Sequence, residues 1–317
     1  MYGDNGGVAG APVETSVGML TGLERRRIET IDRCTAAAKC LGRPLMFGMT
    51  TSLMLQSVPL PERCDLDMDA LHTVSSSKGR RIRTRDASLC SHVWTPMTST
   101  VPVRINDYVF ALDLFHTWAQ LAVHVPLETL VVLGDSIITA VAGNPSLAKG
   151  RDASAVYRDF VNFADPLPSR RGAAACAKAS RLVLPGSGSP KESSCCLMLR
   201  RYGLPCPERG YVIPRMTFRS GVPMTLDLAW PEARVAVEYD GDQHRTDKRQ
   251  WRRDQEKRDR ARARGWLIFV ATSMTLDDDV AGAELAFNVA RQLALRGVTC
   301  DFRLVAMSLE RLARAAS

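Results

Sequence analysis

"LDLAWPEARVAVEYDGDQHR", residues 226–245, decides how the second half of the chain folds. Two apolar runs flank the short connector Pro231-Glu232-Ala233, a pattern that predicts two strands closed into a hairpin. Side chains alternate faces along a strand, so Ala236, Glu238 and Asp240 share one side while Val235, Val237 and Tyr239 share the other. Asp227 stands alone among Leu226, Leu228 and Trp230, and the hairpin would bring it beside Glu238. Three carboxylates would then converge at the edge of a core.

Carboxylates gathered in this way repel one another and resist desolvation unless a cation, a shared proton or basic partners offset them. A hard divalent ion answers the need. Magnesium takes a few carboxylate oxygens together with waters and substrate phosphate oxygens, and it acidifies a water for attack on a phosphodiester. The following segment adds an attraction for phosphate: Arg245 to Arg264 holds ten Lys or Arg against four acids and so contributes +6 of the chain's formal +8. Plainer readings exist for each piece. Asp-Gly is a common turn, a charged helix is usually a solvated face, and a lone histidine such as His244 is more often a surface residue than a catalyst. The spacing of a calcium loop is absent, and Trp251 and Trp266 read as packing residues.

Working outward, 317 residues suggest two domains. Hydrophobic residues at 45% and charged residues at 24% match an ordinary folded, soluble protein. Nine cysteines without a CxxC pair argue against a disulfide framework or a zinc ribbon and for a reducing compartment. No secretory leader or membrane span is evident, so the expectation is a cytoplasmic protein with no membrane partner. Residues 1–18 read as a disordered leader. A helix follows from Leu20, then short strands between about 70 and 110 around the basic turn "SSSKGRRIRTRD", then helices from 111 to 183. Together 19–183 form an α+β unit with a helical connector, suited to regulation or to a protein partner. The Gly/Pro/Ser-rich stretch 184–190 reads as a linker, and 191–317 as a second domain that would keep its activity when separated. In that domain strands alternate with helices, the mark of an α/β sandwich around a mixed sheet.

The segments "SPKESSCCLMLRRYGLPCPE", "LDLAWPEARVAVEYDGDQHR" and "RRDQEKRDRARARGW", in this order, resemble a family of endonuclease-like domains related to the very-short-patch-repair endonucleases, within the PD-(D/E)XK or restriction-endonuclease-like superfamily. The resemblance spans about 190–275 and implies a divalent-metal-dependent DNA endonuclease with Mg2+ or Mn2+. It implies that Asp227 and Glu238 hold the ion and that Glu192 reaches it through water. Asp240 stands where the wider superfamily has its lysine, a departure that leaves Asp240 and His244 as local substitutes, with His244 as general base or leaving-group acid. Arg245, Lys248, Arg249, Arg252, Arg253, Lys257 and Arg258 are the candidates for DNA phosphate contact. Residues 43–140 are more distantly similar to the C-terminal part of abortive-infection-type antitoxin regulators. The rival expectation is therefore an inactive DNA-binding or antitoxin-like regulator that uses the nuclease fold as a scaffold. Recognition sequence, strand preference and oligomeric state have no signature in the sequence.

Overall fold

The computed structural model describes residues 15–167, 171–241 and 248–316. In chain order its elements are α1 (Thr15–Cys40), β1 (Leu45–Phe47), α2 (Met49–Leu55), β2 (Leu71–Ser75), β3 (Leu89–Val93), β4 (Val103–Arg104), β5 (Val109–Ala111), α3 (Leu114–Leu121), α4 (Leu127–Gly143), α5 (Pro145–Ala148), α6 (Ala153–Ala164) and α7 (Ala173–Ser180). The second half continues with α8 (Pro190–Arg201), β6 (Glu208–Thr217), β7 (Pro223–Trp230), β8 (Val235–Tyr239), α9 (Lys248–Arg262), β9 (Leu267–Ala271), α10 (Ser273–Asp277), α11 (Asp279–Leu295) and α12 (Leu309–Ala315). The protein is thus α/β, with two mixed sheets ordered β3-β2-β1-β5-β4 and β6-β7-β8-β9. Helix α1 starts inside the stretch expected to be a leader, and residues 1–14 lie outside the described residues. Among the described residues no helix is long and apolar enough to cross a membrane.

The expected hairpin forms. β7 and β8 pair antiparallel with Leu228 opposite Val237 and Ala229 opposite Ala236. Two hydrogen bonds, Ala233 N to Trp230 O and Arg234 N to Pro231 O, close the turn, with Arg234 in the left-handed region at φ +49°. β9 then adds parallel to β8, the crossover being α9. Leu228, Trp230, Val235 and Val237 pack with α8 and α11, while Ala229 and Ala236 pack with Ala261 of α9 and Trp266. Helices therefore cover both faces of this sheet.

The stretch 184–190 does more than link. Asp135 of α4 and Arg209 of β6 form an ion pair at 2.8 Å with both side chains 4% exposed. Asp135 also accepts from Leu184 N, and Arg209 donates to Leu184 O and Ser193 Oγ. Thr139 donates to Ser187 O. Leu197 of α8 and Ala313 of α12 lie within the helical core of the first half, beside Leu130, Ile137 and Phe160. Around this Gly/Pro/Ser-rich stretch, expected to be a linker, residues of the two halves are packed and hydrogen-bonded together.

In the first sheet His72, 1% exposed, sets its Nδ1 2.9 Å from His92 Nε2 and its Nε2 2.8 Å from the Asp67 carbonyl. A carbonyl only accepts, so His72 carries its proton on Nε2 and His92 donates from Nε2; both rings are neutral. Burial, then the neighbouring His72, His124 and Arg81, push the His92 pKa from 6.5 down to about 4. Between these values the unfolded chain binds the extra proton and the folded chain does not. This contribution to stability is therefore present above pH 6.5 and lost as the pH falls towards 4. The drop in Tm between pH 7 and 4.5 should shrink in His92→Gln; an equal drop in both proteins would remove His92 as its source.

Candidate active site

The carboxylates of the hairpin meet a lysine that the sequence alone did not place there. Continuing the β7–β8 register sets Asp227 opposite Glu238, and Tyr239 N donates to Asp227 Oδ2 at 2.9 Å. Glu238 is 4% exposed. From α9 the Lys257 ammonium comes within 2.5 Å of Glu238 Oε1 and donates to Thr225 O. The ammonium thus offsets the charge of a buried carboxylate. One residue on, Arg258 lies 3.9 Å from Glu238 Oε2 and 3.4 Å from Asp240 Oδ2. Asp254 precedes this pair by three and four residues, which puts it on the same helix face. Burial raises the Asp254 pKa, and the charges of Glu238 and Asp240 push the same way.

Glu192 sits in the first turn of α8. Ser189 caps this helix by accepting from Glu192 N, Pro190 occupies the first turn, and the Glu192 carboxylate reaches back to Gly188 N at 2.8 Å. This is the reciprocal logic of a capping box, displaced by one residue. The same carboxylate has its pKa raised by burial. Asp227 is pushed well above the usual carboxylate range, first by desolvation and then by the charges of Glu192 and Glu238. Asp227 on β7 therefore feels acids from both α8 and β8.

Seven cationic positions were expected to follow DNA phosphate. Lys257 and Arg258 are turned inward instead, with side chains 13% and 15% exposed and engaged by Glu238 and Asp240. Arg253 lies over the Phe218 ring at 5.8 Å. Lys248, Arg249 and Arg252 belong to α9, whereas His244 and Arg245 lie outside the described residues. Further along, Arg260 donates to Thr217 O, and Arg264 donates to Pro214 O and Arg215 O. These carbonyls belong to the stretch where the β6–β7 register shifts, so the arginines satisfy acceptors that the ladder leaves free. Much of the positive charge of α9 is structural.

No family model, curated protein or solved structure matches the chain. The chemistry of the site has to be read from its own atoms. Among the described residues no group of three or more His, Cys, Asp or Glu side chains is arranged to hold a metal ion. A two-carboxylate donor set suits magnesium, which needs one or two carboxylates and completes its shell with waters and phosphate oxygens. Asp227 and Glu238, opposite one another in the β7–β8 register, would supply such a set. Sequence reasoning missed Asp254 and the inward turn of Lys257. Their i, i+3, i+4 spacing with Arg258 was visible, but nothing in it says which helix face meets the sheet.

Proposed function

We propose that this protein hydrolyses phosphodiester bonds of DNA with a divalent metal, as an endonuclease on the restriction-endonuclease-like plan that its sequence resembles. One observation carries the reading: Lys257 brings an ammonium to within 2.5 Å of Glu238, beside Asp227, in a site whose strand carries Asp240 where the wider superfamily has lysine. A lysine supplied from α9 fills the role that the strand leaves open. Asp227 and Glu238 would hold Mg2+ or Mn2+, which supplies an acidified water and offsets charge on the scissile phosphate. Lys257 orients Glu238 and presents positive charge towards a bound phosphate, and Arg258 holds Asp240 in place. A cytoplasmic setting, where DNA and reducing conditions coincide, belongs to the same reading.

Supercoiled plasmid incubated with Mg2+ or Mn2+, beside a chelator control and the Asp227→Asn/Glu238→Gln double variant, tests the proposal. Metal-dependent nicking that the variant loses is the expected result. Intact DNA throughout, with a gel shift retained, would select the second reading, a non-catalytic DNA-binding scaffold. That reading is favoured by the Lys257–Glu238 pair, in which an ammonium occupies the neighbourhood a metal would need.

The raised pKa values of Asp227 and Glu192 set a sign for metal binding. A cation must displace the protons that burial favours, so Mn2+ affinity should climb as the pH rises above the usual carboxylate range. Calorimetric titrations at pH 6 and pH 8 should show tighter binding at pH 8. Equal affinity at both would mean that these acids do not hold the ion.

A further inference from the structure

A second group of cations lies away from α9. They cluster on the connection between β2 and β3. Parallel strands need a crossover, usually a helix. Here the crossover between Ser75 and Leu89 is a single 3₁₀ turn at Lys78–Arg80 followed by irregular chain that bends at Arg85. Lys78, Arg80, Arg81, Arg83 and Arg85 are all exposed. None forms an ion pair among the described residues. These eight residues carry +5 with no acid, and Arg245 to Arg264 carries +6, so the remainder of a chain of formal charge +8 is net negative.

The segment is also held in shape. Ile82, 8% exposed, plugs into the core formed by Leu71, Leu89, Val109 and Phe47. Ser91 Oγ donates to Ile82 O and Ser75 Oγ donates to Arg80 O. Arg81, Arg83 and Arg85 are exposed while Ile82 is buried and Thr84 intermediate, so the three arginines surround an anchored residue. Five long side chains crowded together without counter-charges repel one another, an arrangement that a row of anions relieves.

We infer that the 78–85 crossover is a nucleic-acid backbone-binding element, an anchored row of cations that takes successive phosphates of a DNA strand. Guanidiniums match phosphate oxygens bidentately, and five cations within eight residues suit a polymer of anions better than a single phosphate. Binding through phosphates positions the protein on DNA and carries no sequence information. The element is independent of the carboxylate site and would operate whether or not that site cleaves.

The test is fluorescence anisotropy of a labelled 20-mer duplex with the full-length protein in chelator, as a function of salt. Each phosphate contact contributes about 0.9 to the slope of log K against log salt. The triple variant Arg81→Ala/Arg83→Ala/Arg85→Ala should therefore lower the slope by about 2.7 and weaken binding at every salt concentration. Arg81→Lys/Arg83→Lys/Arg85→Lys, which keeps charge and the Ile82 anchor, should retain most of the slope. An unchanged slope in the alanine variant, with its melting curve intact, would overturn the inference. Displacement of the duplex by polyglutamate at equal charge concentration would overturn it in favour of an acidic protein partner. Loss of plasmid nicking plays no part in this assay, so a failed nuclease proposal and a failed binding element are told apart.

Discussion

Arg209→Ala should destabilise the protein by about 3–5 kcal/mol, the cost of leaving a buried charge without its partner. The guanidinium is 4% exposed, bonds Asp135, the Leu184 carbonyl and Ser193 Oγ, and spans the join between α4 and β6. Both charges are removed from water here, and their attraction offsets that desolvation only while the pair is intact. That balance predicts an asymmetry. Asp135→Leu combined with Arg209→Met should cost less than the sum of the single changes, although Leu184 N then loses its acceptor. Urea unfolding of the four proteins measures the cycle. A loss below about 1 kcal/mol for Arg209→Ala would show that this pair does not hold the two halves together. The same join forecasts that residues 184–317 alone unfold readily, because Leu197, Ala313 and Arg209 would lose the surfaces they pack on.

On the proposed endonuclease reading, Glu238→Gln should reduce plasmid cleavage by at least 10²-fold while duplex binding in chelator changes little, since the substitution would remove a ligand charge and leaves the 78–85 crossover untouched. It has a second consequence. Lys257 then faces a neutral amide, and its pKa, which carboxylate neighbours now hold up against burial, should fall. The single variant should therefore be less stable than the wild type, and Glu238→Gln/Lys257→Met should regain stability without regaining cleavage. Cleavage by Glu238→Gln at the wild-type rate would remove this carboxylate from the chemistry. Full stability of the single variant would show that Lys257 relies on Asp227 and Asp254 instead.

How far the site was legible depended on sequence distance. The Asp227–Glu238 apposition follows from a four-residue turn and strict alternation, both local properties of residues 226–239. Glu192 was named through the family resemblance alone, although its capping bond to Gly188 is local. Lys257 was read as an outward cation because a helix of fifteen mostly charged residues shows no dominant apolar face; only Ala261 and Trp266, packed against Ala229 and Ala236, fix which side meets the sheet. Helix α2 escaped notice for a related reason. All seven of its residues are buried, so no polar stripe marks its period, and Ser52 spends its hydroxyl on Leu112 O.

The sequence by itself determined the α/β class, the strand hairpin with its facing acids, and the two clusters of positive charge, since each depends on residues close together in the chain. Tertiary structure alone decided what those charges do. Lys257, Arg258 and Arg260 of α9 are engaged by carboxylates and by a carbonyl at the β6–β7 irregularity, whereas the cations of 78–85 form no ion pair among the described residues and stay exposed around the buried Ile82. It also decided that the Gly/Pro/Ser-rich stretch is a packed join, through an ion pair between residues 74 positions apart. Local patterns record which way a side chain points from its own backbone; what it meets there depends on how distant elements pack, and composition carries no trace of that.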